Sequence, residues 1–177
     1  MKILLTGSSG FIGQEEESEQ LLRVIESTFV TEHNLTREFE AKVRDLTGSK
    51  HAIAMTNGTV ALFCCLKSLG IGPGDEVIVP DMTFIATSNS VIMAGATPVF
   101  CDINMTDYHM SFESIKRMYS DKVKAIIYPH LFGNMSDVSK IKQFCQEKKI
   151  HFIEDACQSI GSSYNGVLAG TIGDIST

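Results

Sequence analysis

Asp155 and Gln158, in the stretch His151-Phe152-Ile153-Glu154-Asp155-Ala156-Cys157-Gln158, are the residues best placed for chemistry. Phe152 and Ile153 are strand formers, so the stretch reads as a short buried strand ending in a carboxylate. In open parallel sheets ligands collect outside the carboxyl ends of the strands. A carboxylate there can hold a positive charge on a bound heterocycle, and Gln158 follows closely enough to serve the same ligand. The plainer reading is that Asp155 caps the next segment.

Two further stretches carry complementary chemistry. Met55-Thr56-Asn57-Gly58-Thr59-Val60-Ala61-Leu62 reads as a strand, a tight turn and a helix start. Free N–H groups at that start, with the helix dipole behind them, suit a phosphate. Gly58 would allow close approach, Thr59 adds a hydroxyl, and Val60 offers backbone. Alternatively, Thr59 simply caps the helix. Asp81-Met82-Thr83-Phe84-Ile85-Ala86-Thr87 follows another strand end, where Phe84 could stack on a flat ring or belong to the core. A phosphorylated, aromatic, cationic cofactor would use all three stretches.

The elements that must position them alternate. Strands are expected at Lys2–Thr6, His51–Thr56, Glu76–Pro80, Thr97–Asp102, Val123–Tyr128 and Ile150–Glu154. Helices are expected at Ser18–Ser27, Leu35–Thr47, Val60–Leu69, Thr83–Met93, Asp137–Lys148 and, capped by Ser111, up to Tyr119. Asn165-Gly166 is the dipeptide of a tight hairpin. Such alternation predicts an α/β fold: three α/β/α layers around a mainly parallel sheet, with right-handed crossovers.

A chain of 177 residues can bury one substantial core, and its 44% hydrophobic and 20% charged content is that of an ordinary globular protein. A net charge of -6 gives no basic footprint for nucleic acid or an anionic membrane. The five cysteines show no metal spacing, which suggests buried thiols in a reducing compartment and no metal site. No apolar run approaches a membrane span. The expected location is cytoplasmic.

The start of the chain stands apart. Lys2–Thr6 leads into Gly7-Ser8-Ser9-Gly10-Phe11-Ile12-Gly13, which resembles the opening of extended short-chain dehydrogenases and sugar-nucleotide epimerases. A dinucleotide site would need a second strand and an acidic residue about 20 residues on, and the acidic run Glu15-Glu16-Glu17 follows instead. Residues 1–14 are therefore expected to be a glycine-rich fragment joined to a separate body, residues 15–177.

Six segments of that body recur in the order of one family: Asn57–Leu62, Gly70–Pro80, Thr83–Thr87, Gly95–Phe100, Ile153–Gln158 and Gly170–Thr177. Together they closely resemble the DegT/StrS-type sugar aminotransferases, pyridoxal-phosphate enzymes of the aspartate-aminotransferase fold, and especially members that make perosamine. The resemblance implies that body to be the N-terminal portion of the large domain. Its cofactor would be pyridoxal 5'-phosphate. Gly58, Thr59 and the Val60 backbone would hold the phosphate, Phe84 would lie on the pyridine face, Asp155 would pair with the ring nitrogen, and Gln158 would bond near the ring hydroxyl. His130 matches a family position near the site and is expected to be a packed, hydrogen-bonded histidine. The substrates implied are a nucleotide-linked keto-deoxysugar and an amino-acid donor, commonly glutamate, acted on by a homodimer.

The family's Schiff-base lysine would fall beyond Thr177, so no catalytic residue is assigned within the chain. The alternatives are a related sugar 3-dehydratase, with histidine in the lysine's place, and an inert fragment that only binds or dimerises.

Overall fold

In the computed structural model the described residues are 3–6, 14–28 and 34–177. The glycine turn Gly7–Gly13 lies outside them. In chain order the elements are β1 (Ile3–Thr6), α1 (Gln14–Glu26), α2 (Asn34–Thr47), β2 (His51–Ala54), α3 (Gly58–Ser68), β3 (Glu76–Pro80), α4 (Ala86–Met93) and β4 (Thr97–Cys101). Then come α5 (Phe112–Met118), β5 (Val123–Pro129), α6 (Ser139–Lys148), β6 (His151–Asp155), β7 (Ser163–Tyr164), β8 (Val167–Leu168) and β9 (Ile175–Ser176).

Seven strands form one sheet in the order β2-β1-β9-β6-β5-β3-β4, and every pairing in it is parallel. Continuous apolar runs are what such a sheet demands, because both faces are covered. Alternation then sorts the side chains. Val77, Val79, Ala125, Ile127 and Ile153 face α3 and α4, meeting Leu62, Leu66 and Val91. Ile78, Ile126, Tyr128 and Phe152 face α5 and α6, meeting Ile115, Ile141 and Phe144. This is the three-layer α/β fold expected from the alternation.

Local chemistry explains most element ends. Ser111 caps α5 by accepting from the Ser114 amide. Asn165 and Gly166, both at positive φ, close the β7–β8 hairpin. α4 begins at Ala86, three residues later than expected, because the Thr87 amide donates to Phe84 O at 3.1 Å and closes a tight turn first. β6 runs one residue further, to Asp155, which pairs with Pro129.

The N-terminal strand is the unexpected part. β1 pairs with β2 from Ile3 opposite His51 to Thr6 opposite Ala54, and Leu4 pairs with Ser176 of β9. A strand placed by sequence in a separate fragment thus lies inside the sheet.

Candidate active site

Because the seven strands of the main sheet run the same way, the exits of β2, β3, β6 and β9 open at one end of it. At the β2 exit, Asn57 is extended and its side chain accepts from the Val60 amide at 3.0 Å, starting α3. Asn57, not Thr59, is therefore the cap. Among the described residues, the Gly58 and Thr59 amides at this helix start have no hydrogen-bond acceptor, whereas Val60's amide is engaged.

Gly58 sits directly against the β6 exit. A Cβ on Gly58 would stand 2.5 Å from Cys157 Sγ. Gly58→Ala is accordingly expected to displace the start of α3, and Gly58→Ala with Cys157→Ala to restore it. Thermal unfolding of the two variants checks this: the double variant should recover most of the loss, roughly 2 kcal/mol. Packing of the sulfur beside Gly58 and the nearby Asp155 charge push the Cys157 thiol pKa up to about 12, although the residue as a whole is exposed.

Asp155 holds the centre. One carboxylate oxygen accepts from Thr87 Oγ1 of α4 at 3.3 Å, and the other accepts from Thr177 Oγ1 and the Cys157 amide, each at 3.4 Å. These contacts, two O–H···O and one N–H···O, orient the carboxylate but are long, so it can still take a stronger donor. Thr87 in turn lies 3.1 Å from Thr83 Oγ1, across the turn that carries Phe84. Phe84 is 62% exposed, so it is not a core residue. Gln158 is bound differently: its Oε1 accepts from the Phe132 amide at 2.8 Å, which ties it to the turn at residues 131–133.

The opposite face of β6 carries a residue to which sequence gave no role. Glu154 is fully buried, 2.9 Å from His130 Nε2, and accepts from the Gly170, Ile172 and Gly173 amides. Burial pushes its pKa up, but His130 and the Gly173 and Gly170 amides outweigh this and hold it below the usual glutamate value. A carboxylate inside an apolar strand was the available signal. His130 is the packed, hydrogen-bonded histidine expected. A cavity of about 470 Å³ between the start of α6 and the β7–β8 hairpin touches this hub through Ile172 and is lined by none of Gly58, Thr59, Phe84, Asp155 and Gln158.

The sequence profile of the DegT/DnrJ/EryC1/StrS aminotransferase family matches residues 12–177. The chain belongs to that family. It is 40% identical over 139 residues to a GDP-perosamine synthase of Vibrio cholerae, covering 78% of this chain and 38% of that protein. An aminotransferase from Psychrobacter cryohalolentis superposes with a TM-score of 0.86 at 38% identity, over 94% of this chain and 43% of that one. A Streptococcus pneumoniae protein described as a sugar aminotransferase, solved in its PLP form, gives a TM-score of 0.89 at 29% identity over 96% and 47% of the two chains. The chain thus spans less than half the length of these relatives. The family's enzymes are pyridoxal-phosphate dependent. β1 lies outside the matched residues. Among the described residues no helix is long and apolar enough to cross a membrane, and no His, Cys, Asp and Glu cluster is placed to hold a metal.

Proposed function

We propose that this chain is the cofactor-binding part of a pyridoxal 5'-phosphate-dependent aminotransferase acting on a nucleotide-linked keto-deoxysugar. One observation carries the reading: the contact path from Gly58 through Cys157 to Asp155 and Thr87 gathers a helix start, a carboxylate and the Phe84 turn at one sheet end. The residues fit the cofactor. The Gly58 and Thr59 amides and the Thr59 hydroxyl hold the phosphate, Val60 closes the helix turn behind them, and glycine at position 58 leaves room for Cys157 Sγ. Phe84 covers one face of the ring. Asp155 keeps the ring nitrogen charged, and Gln158, with Oε1 fixed by Phe132, offers its amide nitrogen towards the ring hydroxyl. When bound, the cofactor supplies an electron sink for the substrate; these residues supply orientation and charge.

The amino donor in this reading is an amino acid, commonly glutamate, and the assembly is a homodimer, which the exposed Leu21, Leu22 and Ile25 of α1 would suit. The assigned residues hold the cofactor by contact and charge, and the covalent anchor is placed outside them. The test is titration with pyridoxal phosphate followed by borohydride and peptide mapping. Saturable binding without a pyridoxyl-lysine in residues 1–177 is expected. Absence of saturable binding would overturn the reading.

A further inference from the structure

We propose that Glu154 is a positioning residue for Asp155: from the opposite face of β6, its carboxylate holds the Gly170–Gly173 turn and so brings Thr177 against the Asp155 side chain. The two acids follow one another on a strand, so they face opposite sides of the sheet. Phe152 and Ile153 show which: Phe152 packs towards α5 and α6, Ile153 towards α3 and α4. Glu154 shares the Phe152 side and Asp155 the Ile153 side.

Glu154 Oε1 takes His130 Nε2 at 2.9 Å and the Gly170 amide at 3.0 Å; Oε2 takes the Ile172 amide at 2.7 Å and the Gly173 amide. Only an ionised carboxylate accepts four donors without presenting a hydrogen of its own. Nε2 is then the donor of His130, and its Nδ1 is buried without a partner among the described residues. Among the described residues Glu154 is thus the ring's one hydrogen-bond partner, while its edge packs on Tyr128.

What the turn delivers is β9. The Asp174 amide donates to Phe152 O at 2.8 Å, the Thr177 amide to Glu154 O at 3.0 Å, and the Ala156 amide to Thr177 O at 2.9 Å. That register sets Thr177 Oγ1 3.4 Å from Asp155 Oδ1. The side chain of Glu154 therefore fixes the turn while its backbone fixes the residue that touches its neighbour.

The inference takes the role of Asp155 from the proposed function, and its test separates the two. In Glu154→Gln the amide NH2 must face backbone donors at either oxygen position, since both accept at least one N–H. Amide exchange at Asp174 and Thr177 should accelerate roughly 30-fold or more, with Ile78 and Ala125 unchanged. With ¹⁵N-labelled pyridoxamine phosphate, the ring-nitrogen signal should move from its protonated position in the wild type towards the neutral one. Should Glu154→Gln not fold, His130→Gln removes the ring from Oε1 and should give the same local loss, about tenfold. Unchanged exchange at Asp174 and Thr177 in a folded variant overturns the proposal. So does faster exchange with an unmoved ring-nitrogen signal, which would make Glu154 structural only. If the wild type does not bind pyridoxamine phosphate, the functional reading falls, and exchange still decides whether Glu154 sets Thr177.

Discussion

Asp155→Asn is expected to weaken pyridoxamine phosphate binding by about 10- to 100-fold while leaving the fold intact. The substitution keeps the shape and removes the charge. A hydrogen bond between a carboxylate and a protonated ring nitrogen contributes about 1.5–3 kcal/mol, and its loss sets that range. Stability should change far less, because the protein's own donors to Asp155 stand 3.3–3.4 Å away and are weak at that length. Fluorescence titration and urea unfolding on the same sample separate the two effects. Equal affinity in the variant would mean that Asp155 serves the turn at Cys157 and not a ligand.

Gly173→Ala should show the opposite pattern: a large loss of stability. A Cβ there would stand 2.7 Å from Phe152 O, 3.0 Å from Ile175 O and 3.3 Å from Glu154 N. All three neighbours are backbone atoms of β6 and β9, so no side chain can swing aside. Overpacking against backbone costs about 3 kcal/mol, and here it also pushes the Gly173 amide off the Glu154 carboxylate. The urea midpoint measures the loss, which should be accompanied by lost exchange protection at Thr177. A variant as stable as the wild type would show that the turn moves freely relative to β6.

How much of this could be read beforehand depends on the range of the interaction. The runs Val77–Val79, Ala125–Tyr128 and Phe152–Ile153 announce buried parallel strands through local composition alone. Asn165-Gly166 and Ser111 announce their turn and cap in the same way. The exits near Gly58, Phe84 and Asp155 were legible because parallel strands discharge to one side. Sheet order was not legible: nothing local in Ile3–Thr6 says that it lies between β2 and β9, since that neighbourhood is set by chain far away in sequence. The hub at Glu154 was hidden for the same reason. Three of its donors lie 16 to 19 residues downstream, and sequence periodicity carries no trace of a backbone N–H. The α3 cap passed from Thr59 to Asn57 because a two-residue shift in where the helix begins changes which side chain meets its free amides.

The most direct measurement is an experimental structure of this chain with pyridoxamine phosphate. The account requires the phosphate at the Gly58 and Thr59 amides, the ring against Phe84, and its nitrogen within ~3 Å of an Asp155 oxygen. A phosphate bound elsewhere, or a ring nitrogen turned away from Asp155, would contradict it.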